Sequence, residues 1–434
     1  MTTATSDRGA GMLPTLMQRD FALLWVGGLV STLGSWATFV AIPIFVYQET
    51  RSALATTMVF TITVVPMLLG SVAGVFVDRW DRKRTLVVAN VVLAALTVPL
   101  LRAQSGHLWL IYVSMANLAL AGLVIAPAEN ALLPRLVGPD RLVAANSLNS
   151  LNDNLGRIIG PAVGSGLFAL GGFTTVVIFD VCTFVVAAGL IWLIRTSGTP
   201  PVVSAENPGI DEARSKGDAD ATASTRPDVP DRRWRSEWLA GLASVKESTA
   251  VPVVFAAAAT ALLGDAILSS LLAPFVAETL SSGATVLGLF LTIRGVGGVI
   301  GGLASSFLSR WLKPERMIGW NTLALGILLA MIVAVPLVPV ALVGAAFLGI
   351  FVVGWITNQQ TLIQTNVADQ YLGRVYGVLG TITALSLIIG SLLAGLLAER
   401  VGVPPLLFGA AGCYAAAGLI ALFGLRADQP RAAN

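Results

Sequence analysis

Charged residues are scarce in this sequence. Only 12% of its 434 residues are Asp, Glu, Lys or Arg, whereas 55% are hydrophobic. Because a soluble chain carries about 25% charged residues, the composition excludes a water-soluble globular protein. The apolar residues lie in runs of roughly 20, the length that spans a bilayer as a helix. We therefore expect an all-α integral membrane protein.

The side chains that build catalytic and metal sites are also rare. The sequence has one histidine, His107, and two cysteines, Cys182 and Cys413, which fall inside apolar runs and are predicted to be small buried residues. It has no Gly-x-x-x-x-Gly-Lys-[Ser/Thr] loop for binding ATP phosphates. We expect no enzymatic centre, no metal and no cofactor. The basic residues form a collar at the membrane surface, which does not indicate nucleic-acid binding.

The apolar runs predict about twelve spans in two sets of six. They fall at 21–47, 54–77, 85–103, 108–130, 142–169, 172–195, 250–278, 285–308, 316–335, 339–363, 374–398 and 403–426. A polar stretch at 196–235 divides them and is predicted to be a disordered cytoplasmic linker. The predicted domains are a six-helix bundle at 1–195, the linker with an amphipathic helix from Trp234 at 196–249, a second bundle at 250–426 and a cytoplasmic tail at 427–434.

The basic residues predict the orientation. The loops after even-numbered spans hold most of them: Arg79, Arg82, Lys83, Arg84, Arg135, Arg141, Arg310, Lys313 and Arg316. The loops after odd-numbered spans hold only Arg51, Arg102 and Arg400. Because positive loops remain in the cytoplasm, we expect a multi-pass protein of the cell membrane with both termini cytoplasmic. The first span is expected to serve as its own insertion signal.

The two sets of spans are related by an internal repeat. The segment IIGPAVGSGL starts at Ile158 and IIGSLLAGLL starts at Ile388, an offset of 230 residues. The pair Arg79-Trp80 recurs as Arg310-Trp311, an offset of 231. Both matches fall at equivalent places in their halves. Parallel six-helix repeats of this kind are an established transporter architecture.

The loop after span two carries the first motif. Gly74 permits close approach of a neighbouring helix, and Asp78 can pair with an arginine or a helix N-terminus. Such a bond can form in one conformation and break in another. The basic residues Arg79, Arg82 and Lys83 follow. The alternative is that they only anchor the loop at the inner surface.

Span five carries the second motif. Gly156, Gly160 and Gly164 stand four residues apart and share one helix face, and Pro161 can bend the helix. A bent helix with a glycine face can pack tightly against a partner and move over it. The glycines predicted to form the matching face in span eight are Gly298 and Gly302. The alternative is ordinary helix packing.

Together these motifs resemble those of the major facilitator superfamily. The loop after span two is similar to the family's signature loop, with Asp81 at a usual glycine, as in the drug-exporter branch that includes macrolide-efflux and enterobactin-exporter-like proteins. Span five resembles the exporters' Gly-x-x-x-Gly-Pro-x-x-Gly-Gly motif, with Ser165 for one glycine. The resemblance covers essentially the whole chain. It implies two six-helix bundles that rock about a central cavity, with Asp78 holding one end shut. The matching position in the second half is Ser309, so this closing contact is expected to be asymmetric, with its stronger side in the first half.

Ionisable residues inside spans mark the candidate coupling site, since such residues are costly in lipid and face a cavity or a partner. They are Asp153, Arg157, Asp180, Asp265 and Arg294, with Glu129 near the end of span four. Asp153 and Arg157 are one turn apart and can pair with each other, or act in function. Asp265 has no cation within a turn and is the first candidate for proton coupling. Asp153 is second, and Arg294 is the candidate counter-charge to either.

Polar and aromatic residues supply the candidates for the substrate cavity. They are Trp36, Asn149, Trp355 and Gln359. The alternative for the amides is hydrogen bonding between helices, and for the aromatics contact with lipid or neighbouring helices.

The leading hypothesis is a monomeric secondary transporter that exports amphipathic small molecules, such as drugs or siderophores, in exchange for protons. Its partners would be the substrate, protons and the lipid bilayer. The alternatives are a symporter or lipid transporter on the same fold, and, from another class, a non-transporting membrane sensor.

Overall fold

The computed structural model describes residues 11–69, 80–196, 250–367 and 369–425. A five-residue helix, Met12–Leu16, precedes the first long helix. The long helices of the first half are α1 (Arg19–Thr50), α2 (Ala53–Val64), α3 (Arg82–Thr97), α4 (Trp109–Val137) and the pair α5 and α6 (Leu142–Trp192). Those of the second half are α7 (Ala250–Pro274), α8 (Ala284–Leu308), α9 (Pro314–Ala334), α10 (Val338–Asn366), α11 (Asp369–Val401) and α12 (Val403–Gly424).

Helices α5 and α6 follow each other without a loop. Two glycines divide the segment, Gly171 with φ −145° and ψ 15° and Gly172 with φ 70° and ψ −166°. The positive φ of Gly172 lies in the region that favours glycine, so the chain turns sharply there. Within the described ranges, ten segments are long and apolar enough to cross a bilayer, and this one contains two helices. With the shorter apolar helix Ala53–Leu68 the count is twelve, as predicted.

Where the structure describes them, the predicted spans match the observed helices, with ends that differ by up to seven residues. The predicted 285–308 is α8, Ala284–Leu308, and the predicted 403–426 is α12, Val403–Gly424. Several sequence-based predictions lie outside the described residues. These are the roles of Gly74, Asp78 and Arg79, the linker from 197 to 249 with its amphipathic helix, and the tail at 427–434.

The repeat is visible in the contacts between helices. In the first half, Gly34 on α1 lets α6 approach so closely that an added Cβ would meet Asp180 and Thr183. The counterparts in the second half, each 230 positions later, are Gly264, Ala410 and Cys413. Gly264 on α7 approaches α12 in the same way, with the carbonyl oxygen of Ala410 2.8 Å and the Cβ of Cys413 3.0 Å from an added Cβ. The duplication predicted from the sequence therefore extends to the way in which the helices pack.

The backbone repeats as well. Arg51 (φ 51°), after α1, and Ser281 (φ 48°), after the π-helical turn Phe275–Thr279 that extends α7, are the only non-glycine residues with positive φ in the described chain. They stand 230 positions apart, as do Gly172 and Gly402, whose positive φ values precede α6 and α12. Unusual backbone conformations at matched positions confirm two six-helix pseudo-repeats.

The halves meet chiefly where α2 packs on α11 and α5 packs on α8, and α7 also contacts α1 and α2. On α2 and α11, the hydroxyls of Thr61 and Ser391 are hydrogen-bonded at 2.8 Å. The largest hydrophobic cluster belongs to the second half, yet it includes Val40, Ile44 and Ala53 of the first. These residues join the halves where α1 ends.

Candidate functional site

A cavity of about 600 Å³ lies between the two halves. Its wall is formed by α1, α2 and α5 of the first half and by α7, α8 and α10 of the second. The volume is within the range of about 300–1,000 Å³ found for drug-sized ligand sites. Of the residues that the structure describes, three ionisable side chains line this cavity: Arg157, Asp265 and Arg294.

The glycine face of α5 packs against α1 and shapes the first half of the wall. A Cβ at Gly164 would lie 2.6 Å from the Cα of Ala37, and one at Gly160 would meet Trp36. Because the two backbones approach so closely, Trp36 is seated directly beside α5. The prediction that this face packs on span eight is wrong. The span-eight glycines of that prediction, Gly298 and Gly302, line the cavity and face Val353 of α10.

Helix α8 does contact α5, but at other positions. A Cβ at Gly288 would meet Ser165 and lie 2.8 Å from the carbonyl oxygen of Pro161. Ser165, the departure from the family's glycine motif, thus fills space at the contact between the halves. Gly295 likewise approaches Ile158, with an added Cβ 2.9 Å from its side chain.

Trp36 and Arg157 form one side of the cavity. The guanidinium carbon of Arg157 lies 6.0 Å from the centroid of the Trp36 ring, within the range of a cation–π contact. Phe39 meets Trp36 edge-on at 5.3 Å, and Phe60 meets Phe39 in the same way at 5.4 Å. This wall is therefore an aromatic surface with one cation above it.

Asp265, Arg294 and Tyr414 form the opposite side. Arg294 Nη2 donates to Asp265 Oδ1 at 3.0 Å, and Tyr414 Oη donates to the same oxygen at 2.8 Å. The side chains of Asp265 and Arg294 are 26% and 18% exposed, whereas Tyr414 is fully buried. Asp265 is therefore not a lone carboxyl, because Arg294 is its counter-charge. Tyr414 was not predicted, although a tyrosine in the middle of an apolar span, away from the membrane interface, is a signal for a polar partner.

Asp153 and Arg157 do not pair. In the described chain the ion pairs within 4.0 Å are Arg19 with Asp20 and Arg294 with Asp265. Asp153 is exposed and lies outside the cavity wall, although it is only one turn from Arg157. The second candidate for proton coupling is thus placed beside the cavity rather than in it.

Glu129 and Asn149 belong to a polar cluster between α1, α4 and α5. Asn149 Nδ2 donates to Glu129 Oε1 at 3.3 Å. Asn152 Nδ2 donates to the carbonyl of Trp25 at 2.8 Å, and Trp25 Nε1 donates to the carbonyl of Leu148 at 2.8 Å. Asn149 is therefore not a cavity residue. The alternative reading, hydrogen bonding between helices, is the observed one.

Three further placements from the sequence are wrong. Trp355 and Gln359 lie in the packed interior around α10, with exposures of 4% and 8%, and do not line the cavity. On the same helix, Asn358 Nδ2 donates to Ser305 Oγ of α8 at 2.9 Å, which ties the two helices. Cys182 is exposed on α6 rather than buried.

Asp180 is the most deeply buried carboxylate of the described residues, at 1% exposure. It lies between α1 and α6, away from the cavity, and its Oδ2 accepts a hydrogen bond from Thr38 Oγ1 at 2.7 Å. Its Oδ1 has no hydrogen-bond partner in the described structure. Asp180 is thus a buried packing position at the interface that Gly34 narrows.

The described part of the signature loop begins at Trp80. Asp81 caps α3, since its Oδ1 accepts from the backbone N–H of Arg84 at 2.8 Å. The capping role gives a physical reason for the departure from the family's glycine. Lys83 Nζ donates to the carbonyl of Ile194 at 2.6 Å, which holds the loop against the end of α6. Arg82 Nε has no hydrogen-bond partner among the described residues.

Hydrogen bonds join the two halves at the end where α1 ends. Tyr47 Oη donates to Glu278 Oε1 across the halves, and Ser52 Oγ donates to Glu399 Oε1 at 2.7 Å. We call these two bonds the latch. None of its residues was predicted, although the acidic side chains at the ends of α7 and α11 are a signal for polar partners at that surface.

The other end of the cavity is open. Asn154 and Arg157 on α5 and Leu303 and Ser306 on α8 line the wall toward this end, and all four are exposed. Among the described residues, α3 and α4 make their helix contacts within the first half, and α9 and α12 within the second. A ligand can therefore enter where α1 begins and α8 ends.

Twelve helices in two related halves around a cavity define a membrane transporter rather than an enzyme. The sequence profile of the Major Facilitator Superfamily matches residues 24–386 and also 254–434. The chain therefore belongs to the major facilitator superfamily, as the motifs predicted.

Relatives of this chain include three bacterial exporters. It is 23% identical over 391 residues to macrolide efflux protein A of Streptococcus pyogenes, covering 88% of this chain and 90% of the relative. It is 27% identical over 398 residues to the multidrug efflux pump Tap of Mycolicibacterium fortuitum, with the same coverage. The enterobactin exporter EntS of Salmonella typhimurium is 25% identical over 377 residues, covering 82% and 80%.

Solved structures share the fold. A bacterial homologue of the iron transporter ferroportin in an inward-facing state has a TM-score of 0.67 at 18% identity, covering 94% of this chain and 99% of that one. A POT family transporter in complex with a thioalcohol-conjugated peptide has a TM-score of 0.70 at 12% identity, covering 96% and 100%. At these identities the likeness shows the fold alone.

Proposed function

We propose that this transporter exports amphipathic small molecules, drugs or siderophores, across the cell membrane in exchange for inward-moving protons. The relatives that pump macrolides, several drugs or enterobactin support export and a substrate of this size. The aromatic wall of Trp36, Phe39 and Phe60 supports an amphipathic substrate.

One observation carries the coupling proposal: Asp265 is the single carboxylate on the cavity wall in the described structure, and it holds Arg294. A proton and Arg294 compete for the same carboxylate oxygen. When Asp265 takes up a proton, it no longer holds the guanidinium by charge, and the α7–α8 contact loosens. Proton uptake therefore changes a contact between two helices that line the substrate cavity.

The halves would alternate between two arrangements about this cavity. In the described arrangement the latch is closed and the opposite end is open. Arg82 and Lys83 begin α3, and Arg310 follows α8, at the open end, which supports placing that end in the cytoplasm. Both termini would then be cytoplasmic. Release to the outside requires the latch to break and the loop with Asp78 to close the inner end.

The test is transport in inverted membrane vesicles with an imposed pH gradient and a panel of lipophilic dyes and antibiotics. Asp265→Asn keeps the shape of the side chain but cannot exchange a proton. We expect it to lower gradient-driven uptake by about tenfold or more, within the usual range of coupling free energies. The matched control is Asp153→Asn, the same substitution at a position outside the cavity wall, which should retain uptake.

Unchanged gradient-driven uptake by Asp265→Asn would remove this residue from the mechanism. Loss of uptake in Asp153→Asn alone would transfer the coupling role to Asp153. Accumulation of the compounds by intact cells, instead of exclusion, would favour a symporter on the same fold.

A further inference from the structure

The charges on the cavity wall are unbalanced. Of the described residues that line it, two are cations and one is an anion: Arg157, Arg294 and Asp265. Asp265 is already engaged by Arg294 at 3.0 Å and by Tyr414 at 2.8 Å. Arg157 is the cation that remains, and it has no carboxylate within 4.0 Å in the described structure.

The guanidinium of Arg157 keeps its hydrogen-bond donors available. It contacts the face of Trp36, with its central carbon 6.0 Å from the ring centroid. A cation–π contact uses the face of the guanidinium and leaves the N–H groups at its edge free. Arg157 makes no hydrogen bond to another described side chain, and it is exposed to the cavity. Its N–H donors are therefore available for an acceptor group of a ligand.

Neighbouring acids do not occupy these donors. Asp153, one turn away on α5, attracts Arg157 through its charge, but it is exposed and none of its oxygens lies within 4.0 Å of a guanidinium nitrogen of Arg157. Glu129 is engaged by Asn149 in the cluster between α1, α4 and α5. Apart from Asn154, three positions before Arg157 on α5, the rest of the wall that the first half contributes is apolar, with Phe39 and Phe60 among its members. A ligand that fits has one acidic group and an apolar body.

We propose that the substrate class of this transporter is an amphipathic organic anion, with its acidic group bound by Arg157 and its apolar body on the aromatic wall. Arginine binds a carboxylate through two parallel N–H donors, which fixes the orientation of the ligand as well as its charge. The position of Trp36 holds Arg157 for this contact. The inference rests on the proposed export function, because it names the molecule that the same cavity carries.

Three probes test the charge preference. Dansyl-phenylalanine is an anion, its carboxamide is neutral with the same shape, and dansylcadaverine is a cation. Each is titrated by fluorescence against the purified full-length protein in lipid nanodiscs, with empty nanodiscs subtracted. We expect the acid to bind about tenfold more tightly than its amide, as for a charge-assisted contact.

The variant is Arg157→Gln, which removes the charge and keeps a polar side chain. We expect it to weaken binding of the acid by about tenfold and to change binding of the amide by less than about twofold. Arg157→Lys keeps the charge without the fork and should retain part of the preference. The matched control is Arg310→Gln, since Arg310 also lies 6.0 Å from an aromatic ring, that of Phe307, but outside the cavity.

Equal binding of acid and amide by the wild type would overturn the proposal, as would tighter binding of dansylcadaverine. An equal loss of both ligands in a folded Arg157→Gln protein would show a structural role instead, and Arg157→Lys then decides whether charge matters. Transport is measured separately in the inverted vesicles. Uptake of cations but not of dansyl-phenylalanine leaves export standing and overturns the anion preference. Binding of the acid without gradient-driven uptake keeps the preference and overturns proton-driven export.

Discussion

The two halves share a backbone but not a charge distribution. Gly34 and Gly264 narrow matched helix contacts, and Arg51 and Ser281 turn the chain at matched ends. Asp180, the most deeply buried acid of the first half, lies at such a contact, where the second half has Ala410. The second half instead places Asp265 and Arg294 on the cavity wall with Tyr414 behind them. The residues 230 positions before these three are Ser35, Val64 and Phe184.

This difference separates two uses of an acid in a membrane protein. A carboxylate at a packed helix contact, without a cation, is isolated from substrate and solvent. A carboxylate that shares a cavity with the substrate and holds an arginine can link proton uptake to movement. Only the second half has the latter arrangement in the described structure. The comparison therefore supports the proposals that proton coupling belongs to the second half and that the arginine for the substrate, Arg157, belongs to the first.

The largest expected effect separates the two acids directly. Asp265→Asn should lower gradient-driven uptake by about tenfold or more, whereas Asp180→Asn should stay within about twofold of the wild type. Asn at position 180 can still accept the hydrogen bond from Thr38, so packing is preserved. Uptake by both variants is measured in the same vesicles, normalised to protein content. A loss in Asp180→Asn equal to that in Asp265→Asn, at normal folding, would break the comparison.

The second effect concerns the contact of α5 with α1 and of α11 with α7. Gly164 lies in the first contact, and Ala394 occupies the matched position of the second. Gly164→Ala would place a Cβ 2.6 Å from the Cα of Ala37, where neither backbone can yield without separating the helices. We expect a destabilisation of about 2 kcal/mol, as for overpacked cores.

The matched change is Ala394→Gly, which adds no atoms. It should cost only about 1 kcal/mol through helix propensity. Both are read from the midpoint of thermal unfolding of the purified protein in detergent. If Gly164→Ala lowers the unfolding midpoint less than Ala394→Gly does, the contact of α5 with α1 has room for a methyl group, as the contact of α11 with α7 has.

The third effect concerns the latch, which belongs to neither half alone. Tyr47→Phe removes the hydrogen bond to Glu278 and leaves the ring in place. Because a hydrogen bond contributes about 1 kcal/mol, the population open at this end should rise by about fivefold. Spin labels at Gln48 and Arg400, both exposed, report the distance between the halves after Cys182 and Cys413 are changed to Ser.

The control for the latch is Tyr112→Phe. Its hydroxyl donates to the carbonyl of Ala55 at 3.0 Å, wholly within the first half. Its loss should leave the distance distribution unchanged. If the two variants shift the distribution equally, the latch bond has no special part in closure.

The smallest effect exchanges one residue between the halves. Tyr414→Phe gives the second half the phenylalanine that the first half has at position 184. Asp265 keeps Arg294 and loses one neutral donor, so uptake should fall by about twofold to threefold, less than in Asp265→Asn. The reverse change, Phe184→Tyr, buries a hydroxyl and should destabilise the protein by about 1–3 kcal/mol if it finds no partner. Full activity of Tyr414→Phe would show that Arg294 alone holds the carboxylate.

The helices and their duplication could be predicted from the sequence, because run length and repeated motifs are local signals. The direction in which each helix faces could not. In these spans nearly every face is apolar, so periodicity does not distinguish the side that meets protein from the side that meets lipid. For this reason the glycines of α5 were assigned to α8 rather than α1, and Trp355 was assigned to the cavity.

The pairing of Asp265 was predictable in part. Few cations lie inside the spans, so few residues could be the counter-charge of Asp265, and Arg294 was one of them. Tyr414 and the latch were missed because their partners are 149 and 231 residues away along the chain. Such contacts depend on how α7 and α12 pack and on how the halves meet, which no local pattern encodes.

The contact between the halves has the geometry of a symmetric dimer. The second and fifth helices of one half meet the fifth and second helices of the other, as α2 with α11 and α5 with α8. Ser165 meets Gly288, and 230 positions on, Gly395 meets Thr57, one residue from the position that matches Gly288. A surface that binds a copy of itself in this way is isologous. The cavity is therefore enclosed by two matched faces whose side chains differ.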